Sequence, residues 1–451
     1  MSKPYAMPVI KAQPDVKIPE PHISKAIVLT AKLLARLYLL LFFGVARVLL
    51  RGGPHLFEAF RRALLGQSRC ILAFRHPNGG EPQLLGWFIL FRLKSLARKA
   101  GVRFALNPHI LFVYGYEVVR WGGPVARLVM PRLGAMPIHH AKMDSRSMGW
   151  IYRAVLEGPY PIALAPEGQV SYTTESVPRL EQGTIRIGFG AADRIKREGK
   201  DIPVEILPVS VHFRFGSWGR LTLEALIRKI EKFTGLEKQK GRGGMPFGER
   251  IRPARDHIIE INERRYGLTP GPEEGFSGRI DRIIERALQR AEGILGAGTQ
   301  GSLFARQYAL RQICWDLMII PGVDSLEKFS PVERGAADLR AGEAWHAGRH
   351  LELVDFVWYF RVPLPAEDSP LHYKIEYAQN LWDFANRTMG GAYSNRINIF
   401  PRRVIIQAGP PLNISERLPE YHADRHAAVD KAMADLKDAY LGCIDAVNRS
   451  D

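Results

Sequence analysis

Within residues 74–85, FRHPNGGEPQLL, His76 and Glu81 are separated only by Pro77, Asn78, Gly79 and Gly80. A turn this compact can fold a carboxylate back onto an imidazole. The carboxylate then fixes the tautomer and stabilises the imidazolium, which makes a competent general base. Taken alone, a histidine and a glutamate at this spacing are more often structural than catalytic. A second carboxylate, Glu167, lies beside Gly168 in the turn-forming run APEGQVS at 165–171. On its own it reads as a helix-capping or surface group. The adjacent pair His139–His140 has no carboxylate or cysteine cluster around it, so no metal site is expected there. Cys70, Cys314 and Cys443 are odd in number and far apart. They form no disulfide framework and suit a reducing compartment.

The elements that must position these residues follow from periodicity. An apolar run at 70–74 reads as a buried strand, followed by the Gly/Pro/Asn turn and an apolar helix, which places His76 at the carboxyl end of a strand. Further strand-like runs are expected in 104–112, in a short stretch ending at His139–His140, in 160–169 and in 204–213. Helices are expected at 56–65, 87–99, 124–133, 147–156 and 183–195. This alternation argues for an α/β sheet with its active-site turns at strand ends. From about 216 the texture changes to helical periods at 221–233, 252–265, 278–295 and 302–319. In the third, Ile280, Ile283, Ile284, Ala287, Leu288, Ala291 and Ile294 line one face. An aromatic run at 354–362 and a helical stretch at 373–387 continue the region. Strand texture returns at Phe400, and a last amphipathic helix is expected over 425–447.

The chain has 451 residues, enough for an enzyme core and at least one further module. Its 63 Lys+Arg against 46 Asp+Glu give a net charge of +17, a surface suited to anionic lipid, nucleic acid or phosphorylated small molecules. The basic residues are scattered, with no zinc-finger spacing or RNA-binding aromatic motif, so nucleic acid is not the expected partner. Residues 1–22, with five prolines, are expected to be a disordered tail. Residues 23–55 are expected to be a membrane-associating helical segment. Its uninterrupted apolar run, 37–46, is about half the roughly 20 residues needed to span a bilayer. Lys25, Lys32, Arg36, Arg47 and Arg51 punctuate the segment, as in helices that lie in the interface with basic side chains reaching the headgroups. The expected localisation is therefore a membrane surface on the cytoplasmic side, peripheral or monotopic.

Four stretches in order resemble the glycerolipid acyltransferase superfamily, which includes the lysophosphatidic acid acyltransferases. His76 and Glu81 match the family's His-x4-Asp block, with glutamate for aspartate. The run Gly134-Ala-Met-Pro-Ile-His-His140 matches the second block, with His140 where the family usually has arginine. Ala165-Pro166-Glu167-Gly168-Gln169-Val170-Ser171 matches the Phe-Pro-Glu-Gly-Thr-Arg-Ser-like turn, with Val170 in place of arginine. Ile206-Leu207-Pro208-Val209 matches the fourth, an apolar strand with an internal proline. The resemblance runs from about 70 to 213 and returns at 402–414.

This resemblance implies a mixed β-sheet flanked by helices. The acyltransferase core would occupy 56–216, a mainly helical insertion 217–399, and a final core strand with a C-terminal helix 400–451. It implies an O-acyltransferase that moves a fatty acyl chain from acyl-CoA or acyl carrier protein to a hydroxyl of a lysophospholipid or related glycerolipid, with no cofactor besides that co-substrate. His76 would be the base and Glu81 its orienting partner. Glu167 would help position the acceptor, and Gly168 would let the backbone approach it. His140 stands at one of the missing arginines' places, and cations that could substitute for them are His139, Lys142, Arg146, Arg179 and Arg186. The departures at His140 and Val170 leave the acceptor open. A catalytically silent lipid-binding or scaffold homologue and an acyl-thioester or lysolipid hydrolase stand as alternatives.

Overall fold

A computed structural model describes residues 10–118, 122–139, 144–239, 241–269, 275–298, 300–358, 362–389, 396–399 and 401–450. By its contacts the chain divides into two units. One comprises 1–17, 140–142 and 217–398; the other comprises 18–139, 143–216 and 399–451.

The second unit is built on an eight-stranded, mixed and mostly parallel sheet. Its strands are β1 (Val45–Arg51), β2 (Arg69–Phe74), β3 (Leu111–Gly115), β4 (Met136–Ile138), β5 (Ile162–Leu164), β6 (Val204–Phe215), β7 (Arg402–Ala408) and β8 (Leu412–Asn413). The order is β1-β7-β6-β2-β5-β3-β4, with β8 paired to β6. Strands β2 to β6 run parallel where they pair, β1 and β7 pair parallel to each other, and β7 and β8 run antiparallel to β6. Both faces are covered, so the central strands are apolar on successive positions. In β2, Ile71 and Ala73 enter one core layer while Cys70, Leu72 and Phe74 enter the other. Helix α5 (Gly123–Arg132) lies between β3 and β4 in the chain. The first layer packs under α6 (Ser145–Glu157), α7 (Gly183–Arg197), the short α14 (Leu418–Ala423) and the C-terminal α15 (Arg425–Asn448). The second packs under α2 (Gly53–Leu64) and α3 (Glu81–Phe88), which continues through a π-helical turn, Ile89–Leu93, into α4 (Lys94–Lys99). Asp424 caps α15 by accepting from the N–H groups of His426 and Ala427.

The segment expected to be helical over 23–55 divides in two. Residues Lys25–Phe43 form α1, which ends at Gly44 in the left-handed region (φ 60°) with its N–H on the last carbonyls. The next seven residues, Val45–Arg51, are strand β1. Periodicity cannot separate these two fates in a uniformly lipophilic run; pairing with β7 decides it. Helix α1 is long and apolar enough to cross a membrane by length and composition, and almost none of it is buried. Leu33 is 73% exposed, and Leu29, Leu37, Leu41 and Phe42 are exposed beside it. The strand expected in 104–112 begins only at Leu111.

The other unit is helical: α8 (Ser217–Thr234), α9 (Phe247–Tyr266), α10 (Phe276–Leu295), α11 (Leu303–Met318), α12 (Pro331–Trp358) and α13 (Leu371–Thr388). Six of the seven expected face residues of α10 are buried; Ile294 is half-buried, and Leu295 takes the last buried place. Of the aromatic run expected at 354–362, residues 354–358 close α12, and 359–361 lie outside the described residues. The expected disordered tail is packed where it is described: Gln13–Pro14 pairs with Ile319–Ile320, and the Ala12 N–H donates to Asp338.

Candidate active site

Strand β2 ends at Phe74, and α3 begins at Glu81. The six residues between must reverse direction, and Gly79 supplies a φ of +94° to do so. The reversal brings Glu81 Oε2 to 2.7 Å from His76 Nδ1 and 2.9 Å from the Gly79 N–H. Because Nδ1–H points at the carboxylate, the lone pair lies on Nε2. The Glu81 side chain is fully buried, while that of His76 is 17% exposed. The other carboxylate oxygen, Glu81 Oε1, is buried and has no hydrogen-bond partner among the described residues. A buried carboxylate behind a partly open imidazole is an arrangement that can take a proton from a bound hydroxyl or water.

Glu167 holds this turn from behind. Its Oε2 accepts the His76 N–H at 2.8 Å, and its Oε1 accepts Arg75 Nε at 2.6 Å. Both members of the Arg75–Glu167 pair are 1% exposed. Arg75 also donates to the carbonyls of Thr173, Thr174 and Ser176, and its guanidinium lies against the Tyr440 ring. Burial, reinforced by the Glu167 charge, holds the Tyr440 hydroxyl well above its ordinary pKa. The Ser171 N–H donates to the His76 carbonyl at 2.9 Å, which ties the 76–80 turn to the 165–171 turn. Each carboxylate oxygen of Glu167 thus meets a partner within the protein, one of them the His76 backbone.

Gly168 is also spent within the protein. It has φ +69°, and a Cβ there would come 2.4 Å from the Glu181 carboxylate, so the close approach it permits is to Glu181. Val170 packs near Gly79: a Cβ on Gly79 would stand 3.7 Å from its methyl group. Arg146 sits exposed in the first turn of α6, with its guanidinium 4.7 Å from the Trp150 ring centroid. Arg179 is exposed in the stretch before α7. Arg186, in the first turn of α7, is exposed and donates twice to Gln182 Oε1. His139 stacks on Tyr116 with ring centroids 3.9 Å apart. His140 and Lys142 lie outside the described residues.

Two residues of the site are not evident from sequence patterning. Arg75 is one, although a cation directly after an apolar strand and before the histidine was a readable signal. Arg402 is the other. It is almost fully buried, donates to the Asn78 side chain at 3.0 Å and to the Phe43 carbonyl at 2.6 Å, and so ties the 76–80 turn to the end of α1. Gly80 completes that joint: a Cβ there would meet the Phe43 ring at 2.5 Å.

A second chain of polar groups lies along β6. His212 Nε2 is 2.7 Å from Ser210 Oγ, and Nδ1 is 3.3 Å from Glu175, which also accepts from Arg214. The order serine–histidine–carboxylate resembles a nucleophile relay. Ser210 and His212 are fully buried, however, and burial pushes the His212 pKa down. Their burial keeps the serine from solvent, as in a structural polar chain. Among the described residues no cluster of His, Cys, Asp and Glu could hold a metal ion. Comparison of the chain with models of known families, with curated proteins and with solved structures finds no match in any of the three.

Proposed function

We propose that this protein is an O-acyltransferase working at a membrane surface, moving a fatty acyl chain from a coenzyme A or acyl-carrier-protein thioester to a hydroxyl of a lysophospholipid or related glycerolipid. The observation that carries this reading is the His76–Glu81 pair, at 2.7 Å, on the carboxyl end of a central parallel strand. The order of the four sequence blocks that resemble the glycerolipid acyltransferases supports it.

In this reading His76 Nε2 takes the hydroxyl proton as the acceptor oxygen attacks the thioester carbonyl carbon. Glu81 stabilises the imidazolium that forms. The tetrahedral intermediate collapses with cleavage of the C–S bond, and the imidazolium returns the proton to the departing thiolate. No acyl-enzyme is needed. Arg75 and Glu167 act only by holding the His76 backbone.

Incubating the protein with a radiolabelled acyl thioester and a panel of lysolipids tests the reading. New diacyl product supports it. Acceptor-independent fatty acid release would favour a hydrolase, and no turnover would favour a lipid-binding scaffold. His76→Ala should lower transfer by roughly 10²-fold or more. A folded His76→Ala protein with normal turnover would overturn the assignment.

Exposed leucines on α1 support the membrane-surface part. Deleting residues 1–51 would also remove edge strand β1, so substitution is the cleaner test. Leu33→Gln/Leu37→Gln/Leu41→Gln should lower the bilayer-bound fraction in flotation. An unchanged fraction would count against α1 as the anchor.

A further inference from the structure

An open groove of about 790 Å³ runs along the outer side of edge strand β1, between α1, the start of α2, and the α3–α4 helix. Its apolar walls include Phe57, Trp87 and Leu96, and three arginines line it: Arg36, Arg47 and Arg92. No carboxylate lines it, and neither does His76. The three guanidinium groups are in different situations. Arg36 is held in place, donating to the carbonyls of Val45 and Ala46 at 2.5 and 2.8 Å with its guanidinium 5.7 Å from the Trp87 ring. Arg47 and Arg92 are exposed and form no ion pair or hydrogen bond among the described residues.

An edge strand with open backbone groups can also take up a peptide strand. Here Arg36 already covers two carbonyls at the start of β1, and three cations with no anion fit an anionic head better than a peptide backbone. Arg36 belongs to α1, the helix with the exposed leucines, so the groove continues that lipophilic surface. We infer that the groove is a binding site for one anionic glycerophospholipid, its phosphate on Arg47 and Arg92 and an acyl chain along Phe57, Trp87 and Leu96. The inference rests on the membrane-surface part of the proposed function and is independent of acyl transfer, because His76 is not in the groove.

The test uses the full-length protein and dihexanoyl phosphatidylglycerol below its micelle-forming concentration, so that no bilayer is required. Binding is followed by tryptophan fluorescence, with dihexanoyl phosphatidylcholine as the neutral control. The wild type and His76→Ala should bind the anionic lipid equally and the neutral lipid at least tenfold more weakly. Arg47→Gln/Arg92→Gln should weaken anionic binding about tenfold, and Trp87→Phe should remove most of the fluorescence change. Arg194→Gln/Arg197→Gln, which removes the same charge from α7, should leave binding unchanged. Equal loss in that control pair, equal binding of the neutral lipid, or an undiminished signal in Trp87→Phe would each overturn the site. Failure of α1 to hold the protein on vesicles would leave the monomer titration intact, so the two ideas fail separately.

Discussion

The two units bury charge in different ways. In the helical unit, buried and half-buried carboxylates join each helix to the next. Glu231 of α8 pairs with Arg250 of α9, Glu263 of α9 with Arg279 of α10, and Glu292 of α10 with Arg306 of α11. Asp355 of α12 accepts from Gln307 of α11, and Glu352 of α12 pairs with Arg387 of α13. In the sheet unit, the buried Arg75–Glu167 pair and the His76–Glu81 pair sit together at the end of one strand. Helices pack through side chains and can slide along one another, so a buried directional pair defines their register. Strands receive register from backbone hydrogen bonds. That leaves the sheet unit able to place two buried pairs at one turn, besides the Glu175–Arg214–His212 chain on β6.

The largest expected effect comes from breaking the site's own pair. Arg75→Met strands the Glu167 carboxylate in the core, which should cost about 3–5 kcal/mol of stability. In urea denaturation monitored by hydrogen exchange, β2 and its neighbours should lose protection, and turnover should fall with them. Restored stability in Arg75→Met/Glu167→Leu without restored turnover would separate the pair's positioning role from its contribution to stability. Unchanged turnover in the single variant would mean that the pair does not hold His76.

Glu231→Gln tests the other half of the contrast. Glu231 accepts from both Arg242 and Arg250, and its neutralisation should cost about 3 kcal/mol. The loss of protection should concentrate in α8 and α9. If their exchange is unaltered, the pairs do not set helix register.

The smallest effect is a pH dependence. Burial first, and then the charges of His346 and Arg290, push the His350 pKa down to about 4, with the Tyr266 hydroxyl 2.8 Å from its Nδ1. The unfolded chain therefore binds a proton between pH 6.5 and 4 that the folded chain does not. Stability from this residue is fully present above the unfolded value and is lost as pH falls toward 4, by about 2 kcal/mol after allowing for partial exposure. Urea midpoints at pH 7 and pH 5 should differ less in His350→Asn than in the wild type. An equal difference would remove His350 from the account.

Much of the site's local geometry was legible in the chain order. The apolar run before His76, the Pro-Asn-Gly-Gly turn and the apolar run after Glu81 specify a strand, a reversal and a helix by short-range rules, and the pair meets as that local geometry requires. The α10 face was legible for the same reason, since a helical stripe depends only on neighbouring residues. Strand β1 was not. Val45–Arg51 continues the lipophilic texture of α1, and only its hydrogen bonds to β7, far along the chain, make it a strand.

The roles of Glu167 and Gly168 were hidden for the same physical cause. A carboxylate on a proline–glycine turn can face solvent, a ligand or the core. The choice here was made by Arg75 and the His76 N–H, groups that only the sheet brings alongside. Sequence alone therefore determined that the His76 and Glu81 side chains meet, because their spacing is local. Tertiary structure decided that Glu167 faces inward, that Arg402 ties the turn to α1, and that three arginines share one groove. Each depends on distant segments meeting, and burial makes an unpaired charge too costly to leave in place.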